Sequence, residues 1–162
     1  MRSFARYWLP SLAWMALIWS VSSDLGSTDH SAGPFAWIVI ALFPWATPAQ
    51  IDLAHLIVRK IGHMVEYAIL TALWFRTLYA GQRRPFTSSG LLALAISVVW
   101  AITDELHQSF VPSRTASTMD VIFDSAGAGL VLLALRLRNP RFTRPTSPME
   151  GALIAPTQNV SR

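Results

Sequence analysis

The chain has 162 residues, no cysteine and a formal charge of +4, with 52% of its residues apolar and only 14% charged. A mean hydropathy of +0.40 is too high for an ordinary soluble domain and points to a single domain built for lipid. The lack of cysteine excludes disulfides, thiolate metal sites and cysteine nucleophiles. A pI near 10.3 would suit nucleic acid, but the arginines stand in short clusters beside apolar segments, with no aromatic interleaving. No nucleic-acid partner is expected.

In chain order, residues 4–22, 61–79, 86–106 and 119–137 are each close to the ~20 residues that a helix needs to cross a ~30 Å hydrocarbon layer. They predict an all-α integral membrane bundle of four transmembrane helices. Arg2 and Arg6 ahead of the first apolar run resemble the start of a signal peptide. The Ser-rich end of that run is a weak cleavage site, however, and Trp8, Trp14 and Trp19 suit interfacial anchoring, so a retained helix is expected. Residues 35–45 are apolar, too short to cross and bracketed by Pro34 and Pro44. They predict a short interfacial helix in the first outer loop. Residues 139–162, with Pro140, Pro145, Pro148 and Pro156 among Ser, Thr and Arg, cannot build a core and read as a disordered tail behind a domain covering 1–138.

Alternation of four helices places Arg2, Arg6, Arg76, Arg83, Arg84, Arg136, Arg138, Arg141, Arg144 and Arg162 on one side, while Glu150 is the only acid there. That side is expected to be the cytoplasm, with both termini in it and the domain in a bacterial inner membrane. Lys60, the segment 104–108 and Asp120 then meet at the outer face, although they belong to three different spans.

Ionisable groups in apolar helices are costly, roughly 2.5 to 3.5 kcal/mol each near a bilayer centre on insertion scales, and so tend to mark a site. Lys60, His63 and Tyr67 stand at i, i+3 and i+7 on one helix face, with Glu66 beside them. Asp104 and Gln108 are one turn apart next to Glu105, and Asp120 and Asp124 are one turn apart on the last span. Arg114, on the turn between them, is a fork donor for a carboxylate or phosphate. His63, Asp104 and Glu105 are the candidate acid and base groups, and Lys60, Glu66, Tyr67, Gln108, Arg114, Asp120 and Asp124 the candidate ligand contacts. Arg114 is expected to contact Asp104 or Asp120, and His63 to reach the 104–108 turn. The plainer alternative is a lysine snorkelling to head groups, an interhelical histidine hydrogen bond and a structural ion-pair network. Gly127 and Gly129, with Ala126 and Ala128, form a small-residue face for close helix packing.

Familiar catalytic signatures are missing. Ser109 and Ser113 lack a nucleophile elbow, and no metal-binding histidine spacing is present. The vanadate-type lipid phosphatases share the spacing of Arg114, Asp120 and Asp124, but they require a histidine where Asp120 stands, which excludes that assignment. No cofactor or oligomeric state has a signature.

Lys60-Ile61-Gly62-His63-Met64-Val65-Glu66-Tyr67, then Asp104-Glu105-x-x-Gln108-x-Phe110-x-Pro112-x-Arg114, then Asp120-x-x-x-Asp124-x-x-Gly127 together resemble the motifs of the VanZ-like family. Ser22-Ser23 after the first span also fits. The resemblance covers residues 8–137, with Ser113 where the family usually has Gly and Asp124 where it usually has Asn. It implies a small integral membrane protein of the bacterial envelope, in a family whose namesake is linked to low-level glycopeptide resistance, and it implies no particular reaction. Membrane lipids or a lipid-linked precursor are the expected partners: either the site binds an anionic head group, or it is a hydrolase or transferase site acting on an envelope lipid.

The topology has a direct check. Reporter fusions after Gln82 and after Asn139 should both report cytoplasm; an outer-side signal after Asn139 would mean an odd number of spans and would pull the convergent residues apart.

Overall fold

The computed structural model describes residues 2–23, 28–114 and 116–138; the expected tail, 139–162, lies outside them. Among the described residues the protein is all-α. The helices are α1 (Arg2–Val21), α2 (Thr28–Leu42), α3 (Pro48–Arg76), α4 (Phe86–Gln108) and α5 (Thr118–Arg138), and a π-helical turn, Thr77–Gly81, extends α3.

The boundaries follow from local chemistry. Thr47 and Gln50 form a reciprocal capping box, with Pro48 in the first turn where a missing N–H is harmless, and this starts α3 well before the expected position 61. A helix of 29 residues is about 43 Å long at 1.5 Å per residue, longer than one bilayer crossing requires. The short segment expected at 35–45 is longer too: it runs from Thr28 to Leu42, with Pro34 inside it, and packs against α3. Ser31 and Phe35 hold it there, the Ser31 hydroxyl 3.2 Å from His55 Nε2 and the Phe35 ring 4.9 Å from the His55 ring.

α3 is the hub, packing on α1, α2, α4 and α5. Its closest neighbour is α5, and the approach rests on Gly127, where a Cβ would sit 2.8 Å from the Met64 carbonyl carbon. Polar side chains make the other links. The Thr71 and Ser97 hydroxyls lie 2.7 Å apart between α3 and α4. Trp14 Nε1 donates to the Glu66 carbonyl at 2.9 Å, and the Ser11 and Thr77 hydroxyls are 3.0 Å apart, tying α1 to α3 and its π turn.

Polar side chains are prominent in the interior, beside an apolar cluster that includes Ile18, Leu70, Trp74, Phe75 and Leu78. The largest fully buried side chains are Tyr67, Leu70, Gln108, Thr71, Thr77, Asp104, Asp124, Ser11, Ser89 and Ser97, of which only Leu70 lacks a polar atom. Facing outward are Leu91 at 64% exposure, Val99 at 63% and Leu137 at 71%. Small and hydroxyl residues between helices with leucines outside are the packing expected when the surroundings are as apolar as the side chains. By length and composition α4 and α5 can each cross a membrane.

The two glycines of α5 give a paired test of the packing. Gly127→Ala should lower the thermal midpoint in detergent, with a destabilisation of about 2 kcal/mol, the order seen for overpacking, because backbone has to move. Gly129→Ala meets nothing within 4 Å and should be neutral or slightly stabilising. Equal effects would contradict the α3–α5 approach.

Candidate functional site

The site is assembled where α1 and α4 end and α5 begins, against the middle of α3. Local geometry sets each part. Asp104 and Gln108, one turn apart on α4, face the same way, and Gln108 Nε2 donates to Asp104 Oδ2 at 3.0 Å. The Ser22 hydroxyl, just past α1, donates to the same oxygen at 2.8 Å. Asp104 is 1% exposed, so these bonds compensate for much of the water it has lost.

Arg114 closes the end of α1. Its guanidinium donates from Nη2 to the Val21 carbonyl at 2.7 Å and from Nε to the Ser22 carbonyl at 3.2 Å. Those carbonyls are among the groups a helix end leaves without partners. The expected contact from Arg114 to Asp104 or Asp120 is thus replaced by a relay: Arg114 holds the Ser22 backbone, and the Ser22 side chain holds Asp104. Burial first, then repulsion from Arg59, push the Arg114 pKa below its usual value, while Asp104, Glu66 and Glu105 oppose the shift. It remains a cation at neutral pH.

Lys60 takes the partner expected for Arg114. Its ammonium pairs with the Asp120 carboxylate and lies 5.5 Å above the Phe123 ring. Glu105 accepts from the Ser117 backbone N–H at 2.7 Å, fixing the loop that leads into α5. His107 points away from the cluster and stacks on Trp19 with centroids 4.0 Å apart.

His63 does not reach the 104–108 turn. It faces α5 instead, its Nδ1 3.6 Å from Asp124 Oδ1. The register explains the difference: Gly127 lets α5 approach α3 so closely that residues 60 and 63 pair with 120 and 124, one helical turn apart on each side. Tyr67 is fully buried on the same face of α3. Among the described residues, His63 Nδ1, Tyr67 Oη, Asp104 Oδ1, Glu105 Oε1 and both Asp124 carboxylate oxygens are buried with no hydrogen-bond partner. Groups from three helices therefore turn unsatisfied polar atoms toward one region, a pattern that is rare in folded proteins and calls for a reason.

Two cavities adjoin this cluster. One, of about 380 Å³, opens between the end of α1, α2 and α3, and its polar end carries Arg59, His63, Glu66 and Arg114. The other, of about 220 Å³, lies toward α5 beside Lys60, Ser117 and Asp120. Arg59, His63 and Arg114 border both. Arg59 is absent from the sequence-based set, although its position one turn before His63 on the same face was a usable signal. Ser22 was visible only as part of a motif; nothing local connects it to Asp104. No group of three or more His, Asp or Glu side chains is placed to hold a metal ion among the described residues.

A small all-helical protein with its polar groups gathered inside one end of the bundle is the class these features define. The chain belongs to the VanZ/LLP1 family, whose model matches residues 7–139. No curated protein and no solved structure matches it.

Lys60 and Asp120 supply a test of the electrostatics. The lysine side chain is 25% exposed and the aspartate 8%, so an orphaned Lys60 can extend toward water while an orphaned Asp120 cannot. Lys60→Met should destabilise more than Asp120→Asn, by roughly 2 kcal/mol, less than for a fully buried pair. Thermal unfolding of the two variants in the same detergent decides it, and a reversed order would refute the pairing.

Proposed function

We propose that the protein is a four-span membrane protein of the bacterial cell envelope, with both termini in the cytoplasm, that binds the anionic head group of an envelope lipid or lipid-linked precursor at its outer face. Polar side chains inside the bundle and apolar ones outside, together with family membership, support the membrane placement. Arginine bias supports the orientation. The observation that carries the binding reading is the position of Arg59, His63 and Arg114 at the border of two adjoining cavities. Two guanidiniums and an imidazole bordering the same open cavity, with the Glu66 carboxylate beside them, suit a phosphate ester, which guanidinium binds in a bidentate way. Lys60, paired with Asp120, contributes to the field more than to direct contact.

A second reading, a membrane-embedded hydrolase or transferase acting on an envelope lipid, is favoured by the His63–Asp124 approach and by the unpartnered Glu105 Oε1. In it Glu105 or Asp104 is the general base, His63 the acid, and Arg114 holds the developing charge.

Three variants separate the readings. With dioleoylphosphatidylglycerol as probe in a neutral maltoside detergent, Arg114→Gln and Arg59→Gln should each weaken binding about tenfold or more, a loss of ~1.4 kcal/mol, with dioleoylphosphatidylcholine as the unaffected control. Unchanged binding in both would end the head-group reading. Glu105→Gln keeps the acceptor for Ser117 and removes basicity: binding is expected to persist, and loss of lipid turnover in that variant would favour the enzyme.

A further inference from the structure

The larger cavity is chemically graded. At the bundle end it carries Arg59, His63, Arg114 and the Glu66 carboxylate, and its other walls are Phe35 and Ile38 of α2 and Val58 of α3, with the Ser31–His55 pair beside Phe35. Its volume of about 380 Å³ lies within the range of small-molecule sites. Gly62 lines the same cavity next to His63, and an added Cβ there would meet nothing within 4 Å. Gly62 is in the interior of α3, where glycine is worth about 1 kcal/mol less than alanine. The glycine at 127 is explained by a close backbone approach; that at 62 leaves space in the cavity.

α2 has little other role in the fold. It packs on α3, it is anchored through His55, and it forms one wall of the cavity. A cavity with apolar side chains in its wall and two arginines at one end matches an amphiphile better than a soluble anion, because a fully polar ligand would leave Phe35, Ile38 and Val58 without an apolar partner.

We propose that the cavity between α2 and α3 takes a hydrocarbon chain, so that the ligand is a phosphate-bearing lipid held at two points: its chain between Phe35, Ile38 and Val58, its phosphate at Arg59, His63 and Arg114, with Gly62 leaving room for it in the wall formed by α3. This rests on the head-group reading and adds a chain site to it. α2 is then a ligand-binding element.

The test fills that space. Gly62→Leu places a side chain in open space and improves helix propensity, so the variant should fold, which an unchanged or raised thermal midpoint verifies. Ile38→Trp fills the same cavity from α2, the helix that carries neither arginine. Two probes share one head group: dioleoylphosphatidylglycerol and its chain-free counterpart glycerophosphoglycerol. Both variants should weaken the lipid about tenfold or more and leave the chain-free probe at its wild-type affinity, whereas Arg114→Gln weakens both. If Gly62→Leu and Ile38→Trp leave the lipid unchanged while Arg114→Gln weakens it, the chain site is wrong and the head-group reading stands. If the chain-free probe binds as tightly as the lipid to the wild type, the chain site is also wrong. If neither probe binds, both readings fall.

Discussion

The grip of Arg114 on the end of α1 is the constraint on which the polar end of this protein depends. A helix end leaves carbonyls without partners, and a guanidinium donating to Val21 and Ser22 meets that need with charge-assisted bonds. Because Arg114 lies on the loop between α4 and α5, the same contact fixes the end of α1 against two other helices. Ser22 is thereby positioned to donate to Asp104, and Asp104 with Gln108 continues the chain into α4. The site is thus ordered from a helix terminus inward.

A second constraint is steric. Gly127 removes the one side-chain atom that would separate α5 from the Met64 backbone, and the resulting closeness sets the register of Lys60 with Asp120 and of His63 with Asp124. Electrostatics alone would have tolerated several pairings, since five acids and three cations lie near this end. Packing selects among them. The two glycines on the α3 side of the molecule differ in kind: position 127 needs glycine for contact between helices, while position 62 holds glycine beside open volume.

Such an arrangement accounts for polar groups kept in an apolar chain. Hydroxyl, amide and carboxylate side chains face one another between helices, where their hydrogen bonds are internal, and the leucines and valines face out. Binding sites in helical membrane proteins draw on the same economy: the groups that hold the helices together at one end are the ones available to hold a charged ligand.

Much of this was legible in the sequence. Apolar runs of fixed length announced helices, and ionisable residues in those runs announced a cluster of polar groups, because each of these signals depends on composition and spacing alone. Lys60, His63, Asp104, Glu105, Gln108, Arg114, Asp120 and Asp124 do gather at one end of the bundle. Their pairing was not legible. Which cation meets which acid depends on the distance and rotation between helices far apart in sequence, set by a missing Cβ at 127 and a helix end at 21. The early start of α3 was missed because charged residues such as Asp52 and Arg59 interrupt the hydropathy that was used to place it, although the Thr47 capping box was there to be read. The cavity beneath α2 belongs wholly to tertiary structure: no residue in it is unusual in its own segment, and only the packing of α2 on α3 encloses a volume with an apolar wall and a charged end.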